Sequence, residues 1–235
     1  RALHDLEPRH TVIGLPEVLR DLDARRRELE RFGLQCGTLH GECDVRRADV
    51  ARRVAEQMPA FDALHCAIMF TSARADDTPF ETVVERLRAA GDAAAEHGVT
   101  IALETHPDLA TNGAVARRTM EAVAHPNVRI NFDTANIHFY NRDTDTVREL
   151  EAVIDFIAAV HLKDTNGGYR AWHFPALGEG VVDFPAVFAR LDAAGYTGPY
   201  TLEIEGIEGE TRTEQLVHGR IVKSVEYLRR LGRCA

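Results

Sequence analysis

The chain has 235 residues, 45% of them hydrophobic and 7% aromatic, which is enough apolar material for a sizeable core in one α/β domain spanning residues 1–235. Acidic residues outnumber basic ones by 37 to 28, and the resulting net charge of -9 argues against nucleic acid as a partner. No apolar run approaches the roughly 20 residues of a membrane helix, Arg1 to Arg20 lack a signal-peptide core, and Cys36, Cys43, Cys66 and Cys234 contain no CxxC pair, so the expectation is a cytoplasmic, non-membrane protein with reduced thiols.

In chain order, Leu15, Val18, Leu19 and Leu22 recur at helical spacing toward Phe32, and Gly33 then hands over to an apolar run, Leu34 to His40. Ala63 to Phe70 reads as another strand. Thr78-Pro79-Phe80-Glu81 has the form of a capping box with proline at the first helical position, and Phe80, Val83, Val84, Leu87 and Gly91 make one helical face that ends at His97-Gly98. Val99 to Leu103 follows as a buried strand. The alternation continues with a strand at Val128 to Phe132, a helix at Thr146 to Ala158, a strand at Ala159 to Leu162, a helix at Asp183 to Ala194, a strand at Pro199 to Leu202 and a last helix from Thr213 to Leu231.

Short, continuously apolar strands alternating with helices indicate a parallel sheet covered by helices. No glycine-rich dinucleotide fingerprint follows the first strand, so a closed (β/α) barrel is preferred to an open sheet.

Four of these strands run into a residue that can bind a metal: Leu103 is followed by Glu104, Phe132 by Asp133, Val160 by His161 and Leu202 by Glu203. Each pair is separated by enough chain for one βα unit, so in a barrel all four side chains reach the same C-terminal rim. Three carboxylates and an imidazole form a hard donor set that suits Mn²⁺ or Mg²⁺, with Co²⁺ as a further option. Taken singly, a strand-end carboxylate is usually a helix cap or half of an ion pair, and a lone histidine is usually a satisfied core residue. The coincidence at one end of one sheet favours ligands.

The neighbours add candidates. His106 either holds a substrate hydroxyl or is a turn residue before Pro107. Lys163, on the same strand face as His161, either polarises a substrate oxygen or pairs with Asp164. Trp172, His173 and Phe174, ahead of Gly178-Glu179-Gly180, form either a pocket wall over a small polar substrate or plain loop packing. His40 and Glu205 face the same rim and rank below these.

The segments Ile101-Ala-Leu-Glu-Thr-His106, Asn131-Phe-Asp-Thr-Ala-Asn136, Val160-His-Leu-Lys-Asp164, Leu177-Gly-Glu-Gly-Val-Val-Asp183 and Leu202-Glu-Ile-Glu205 together resemble the xylose isomerase-like TIM barrel superfamily, in particular its sugar phosphate isomerase/epimerase branch. The resemblance runs from about Leu15 to Leu231 and implies a (β/α)8 TIM barrel. It also implies one divalent ion, often Mn²⁺, on Glu104, Asp133, His161 and Glu203, with Glu104 and Glu203 as the catalytic acid/base pair and a sugar as substrate; a homodimer would be in keeping with it. Relatives begin with about two further strands, so the chain is expected to lack the first one or two. Two departures stand out. Ketose 3-epimerases commonly carry histidine where Asn136 stands, and the apurinic endonuclease branch needs that histidine together with an aspartate where Ala171 stands.

The chemistry implied is proton transfer on a ketose through an enediolate, giving an epimer or an isomer. A metal-dependent dehydratase of the inosose dehydratase type, and a non-catalytic metal- or sugar-binding barrel, are the alternatives.

Overall fold

Why the strands converge on one rim is visible in how they pair. A computed structural model describes residues 21–234. In it β1 (Leu39–His40), β2 (Ile68–Thr71), β3 (Thr100–Glu104), β4 (Val128–Asp133), β5 (Ile157–Leu162) and β7 (Tyr200–Leu202) form one parallel sheet in the order β1-β2-β3-β4-β5-β7. The sheet curls strongly. Phe70 of β2 and His161 of β5 lie three strands apart, yet their ring centroids are 4.9 Å apart, where a flat sheet would separate those strands by about 14 Å. A short antiparallel ribbon, β6 (His173–Phe174) with β8 (Gly206–Ile207), stands beside the rim.

Helices α1 (Leu22–Phe32), α2 (Val50–Ala55), α3 (Met58–Leu64), α4 (Phe80–Ala95), α5 (Gly113–Val123), α6 (Asn136–Tyr140), α7 (Thr146–Val153), α8 (Phe184–Ala193) and α9 (Glu214–Arg230) complete the fold. In α4 the expected face is the buried one: Val83, Val84, Leu87, Ala90, Gly91 and Ala94 turn inward. Each large aliphatic there contributes on the order of 1.5–3 kcal/mol. Gly91 lets α4 approach the start of β4, since a Cβ there would lie 2.6 Å from His125 Nδ1 and 2.9 Å from Val128 Cγ2.

Several local expectations change. Leu15, Val18 and Leu19 lie outside the described residues, so only the part of the first helix from Leu22 onward can be compared. The run Leu34 to His40 pairs as a strand only at Leu39–His40. Residues 63–64 end helix α3, whose buried Met58, Phe61 and Leu64 follow helical spacing, and the strand begins only at Ile68. The capping box before α4 does not form: Pro79 occupies the cap position in extended conformation, without a side-chain cap. Thr78 is then one residue too early for its hydroxyl to serve. Asn112, Asp145, Asp183 and Thr213 do cap their helices through side-chain oxygens.

The helix expected to reach Ala158 stops at Val153. A single 3₁₀ turn, Ile154–Phe156, follows, and Ile157 and Ala158 open β5. This change matters for the site. The register of β4 against β5 shifts between Ile130, opposite Ile157, and Asn131, opposite Ala159. The extra residue puts Asp133 opposite His161 instead of Val160, and because side chains alternate across a strand, it also turns His161 to the face that carries Asp133.

Candidate metal centre

Glu104 ends β3, Asp133 ends β4, His161 is the penultimate residue of β5, and Glu203 follows β7 directly. Glu104 is in register with Asn131, two residues before Asp133, while His161 is in register with Thr201, two residues before Glu203. By the two-residue period all four side chains therefore point to the same face. One ligand atom from each comes within 4.8 Å of all the others, and Glu104, Asp133 and His161 are buried while Glu203 is partly so.

Each candidate ligand is held from behind. Asp133 Oδ1 accepts the backbone N–H groups of Ala135 and Asn136, both at 2.8 Å, which leaves Oδ2 facing the cluster. Asn136 donates its side-chain amide to the Thr105 carbonyl at 3.1 Å. Ser72 donates to Glu104 Oε2 at 2.5 Å, and His161 Nδ1 lies 3.0 Å from Glu104 Oε1 and 3.4 Å from Glu203 Oε2. His106 Nδ1 stands 3.2 Å from Glu104 Oε2 as an ion-pair contact, without the alignment of a good hydrogen bond. The ring of Phe70 packs edge-on to His161, and His40 lies against Phe70 with centroids 5.0 Å apart.

The electrostatics are those of a crowded acid cluster. Burial works to raise Glu104, but the facing imidazoles of His106 and His161 outweigh it and hold the group well below the usual carboxylate range. Asp133 goes the other way: burial, reinforced by Glu203 and Glu104, raises it well above that range despite the nearby Lys163. Burial also opposes charge on Glu203, yet Lys163 and His161 lower it. His161 is pushed up against the effect of burial because Glu203 and Glu104 face it, and Lys163 is pushed up in the same way by Asp133, Glu203 and Glu205. The donor set fits a divalent cation. Asp133 Oδ2 and Glu203 Oε2 are buried without an aligned hydrogen bond, and the Lys163 ammonium faces them as a charge at 2.9 and 2.8 Å.

Lys163 thus belongs to the cluster, not to Asp164 as the ion-pair alternative had it. Asp164 is fully buried and accepts four backbone N–H groups, from Thr165, Gly178, Gly180 and Val182, at 2.9 to 3.2 Å. It ties the glycine turn down beside the rim. Trp172 stacks edge-on to Phe139 and Phe174, at 5.9 and 5.2 Å between centroids, and lines a cavity of about 170 Å³ together with Glu205, Leu216 and Arg220. His173 sits half-buried on the ribbon opposite Ile207, with no hydrogen bond or ion pair to the four metal candidates among the described residues.

Three contacts escaped the sequence. Ser72 follows β2 on the parity that faces Glu104, a signal hidden by a strand boundary placed too early. Tyr140, whose ring lies 5.1 Å from that of His106, sits on the unrecognised helix α6. The bond from Lys163 to Glu205, at 2.8 Å, joins two residues singled out separately.

Residues 7–231 match the family described as Xylose isomerase-like TIM barrel. Over 78 residues the chain is 41% identical to L-ribulose-5-phosphate 3-epimerase UlaE of Salmonella paratyphi C, a match that covers 33% of this chain and only 27% of that relative's length. Among solved structures, the IOLI protein with a binding zinc atom superposes with a TM-score of 0.73 at 19% identity, covering 97% of this chain and 87% of the other. D-allulose 3-epimerase from Methylomonas sp., in complex with D-allulose, gives 0.69 at 19% identity, with 89% and 81% covered. These two likenesses concern the fold. The family match spans almost all of the described residues and agrees with the strand-end cluster: the chain belongs to the xylose isomerase-like TIM barrel family.

Proposed function

We propose that this chain is a metal-dependent sugar epimerase or isomerase that moves a proton on a ketose through an enediolate. The observation that carries the reading is the convergence of Glu104, Asp133, His161 and Glu203 from four strands onto one point, in a chain with an epimerase among its relatives. That relative also favours epimerisation over dehydration. These four residues would hold one divalent ion, Mn²⁺ by preference. When bound, such an ion supplies Lewis acidity, which makes a C–H next to a ketose carbonyl easier to deprotonate.

The rest falls to the protein. Glu104, at the end of β3, and Glu203, just after β7, both meet His161 Nδ1 and are assigned as the acid/base pair. One removes the proton and the other returns it, inverting the carbon, and return to the neighbouring carbon gives the isomer. Burial of Glu104 and Asp133 keeps water away from the carbanionic species. Trp172, Phe139 and Phe174 supply an apolar wall for the C–H face of a sugar, with His106 and Lys163 as polar contacts; His173 stays a weaker member of that set. Asn136 stands where ketose 3-epimerases carry histidine, and its side chain is committed to Thr105, so substrate binding is assigned elsewhere. Arg212 and Arg220 near the Trp172 cavity are already paired with Ile204 O and Glu210, and Glu205, Glu208 and Glu210 share the lining. The substrate panel therefore includes free ketoses as well as their phosphates.

Glu104→Gln and Glu203→Gln test the reading. Each is expected to lower turnover by at least about a hundredfold while the fold is kept, since acid–base groups contribute about that much. Unchanged turnover in either variant removes the acid–base assignment. Sugar binding with no turnover in the parent chain points instead to a binding module.

A further inference from the structure

Lys163 makes more contacts than a simple substrate-facing lysine needs. Its side chain is 2% exposed, and Nζ stands 2.9 Å from Asp133 Oδ2, 2.8 Å from Glu203 Oε2 and 2.8 Å from Glu205 Oε2. An ammonium has three hydrogens, and here one is available for each carboxylate. Two of the three partners belong to the candidate metal set, and the oxygens that meet the lysine are the ones on those two residues without an aligned hydrogen bond. The third, Glu205, is outside that set. So is Phe174, whose ring centroid lies 4.8 Å from Nζ. Phe174 lies on the antiparallel ribbon, where it pairs with Gly206, and Glu205 immediately precedes that ribbon strand.

A divalent ion and an ammonium cannot share Asp133 Oδ2 and Glu203 Oε2 without strong repulsion at such distances. Once those oxygens turn to an ion, Glu205 and the face of Phe174 are the partners left to Lys163. We propose that Glu205 is a positioning residue that holds the Lys163 ammonium beside the metal pocket, so that the lysine gives way to the ion without leaving the site. Without Glu205, the carboxylates that attract Lys163 are those the ion itself requires, and the lysine becomes a competitor for the pocket. The inference rests on the metal-centre reading given above, and the titrations below separate the two.

The experiment is calorimetric titration of chelator-stripped full-length chain with Mn²⁺, for the parent, E205Q, K163M and the double variant, each first shown to be folded by circular dichroism. E205Q is expected to weaken Mn²⁺ binding by roughly tenfold and K163M to tighten it by a similar factor, while in the K163M background E205Q costs less than about threefold. An equal loss from E205Q in both backgrounds overturns the proposal, because Glu205 would then act as a plain negative charge independent of Lys163. E205D serves as a second test that needs no change at Lys163. It keeps the charge and shortens the reach, so it weakens Mn²⁺ as E205Q does if positioning is the role, and parent-like binding by E205D overturns the proposal. If K163M does not fold, K163Q takes its place. A parent chain that binds no Mn²⁺ removes the metal centre and this inference together, whereas tight binding with an additive cycle removes the inference alone.

Discussion

Lys163 and Asp164 are neighbours with opposite duties: the lysine neutralises the acid cluster, and the aspartate fastens the loop beside it. Asp164 receives four backbone N–H groups, and Gly180 is required for that approach, because a Cβ there would lie 2.3 Å from Asp164 Oδ1 and from Thr165 O. Charge-assisted bonds of this kind contribute more than neutral ones, and a buried acceptor that disappears leaves its donors stranded. Asp164→Ala is therefore expected to destabilise the protein by about 3 kcal/mol in urea unfolding, with Asp164→Asn losing less. A loss under about 1 kcal/mol for the alanine variant would mean that the loop is held by other contacts. The two motifs were each legible in the sequence, but the bond between them was not. A carboxylate that binds main-chain N–H groups leaves no partner residue type to find.

At the scale of elements, the strand ends were legible because a βα unit has a narrow length range and the apolar runs stop where the candidate ligands begin. Boundaries that depend on a competing local conformation were not. Residues 63–64 belong to a helix because Phe61 and Leu64 share its buried face, and Thr78 lost its capping role to the extended geometry of Pro79. Helices α2 and α6 and the two-residue strands of the ribbon are too short to stand out, and the buried face of α5 opens with Gly113, Ala116 and Thr119, small or polar residues that give little apolar signal. The bulge in β5 is the most consequential omission, since it sets which face His161 occupies. Insertion of one alanine between Ala159 and Val160 is expected to shift the residues that follow by one, place Val160 opposite Asp133 and turn His161 away. Mn²⁺ binding should then fall by at least about a hundredfold in a chain that still shows α/β circular dichroism, as expected when one of four ligands is withdrawn. Parent-like affinity would show that the strand absorbs the inserted residue in a wider bulge.

For the whole molecule, the acid cluster couples stability to pH and to metal. His161 is held above its ordinary value near 6.5 by Glu203 and Glu104. Its contribution to metal-free stability is thus fully present below about pH 6.5 and is lost as the pH rises through the raised value. An ion needs the neutral imidazole, so binding expels that proton, and affinity is expected to rise with pH by up to about tenfold per unit over the range where His161 is charged. At a free Mn²⁺ concentration 100 times the dissociation constant, stabilisation of about 2.7 kcal/mol should appear as a rise of several degrees in Tm, larger at higher pH and abolished by EDTA. A Tm indifferent to Mn²⁺ at every pH would argue against the centre. No helix of the described residues is long and apolar enough to cross a membrane.

The central claim is proton transfer at this centre, and its most direct test is hydrogen exchange into ketoses. The protein is incubated in D₂O with Mn²⁺ and a panel of free and phosphorylated ketoses, and deuterium incorporation next to the carbonyl is followed by NMR. The account predicts exchange with at least one sugar, lost with EDTA and in Glu203→Gln. Absence of exchange with every sugar, in protein shown to be folded and loaded with metal, would contradict it.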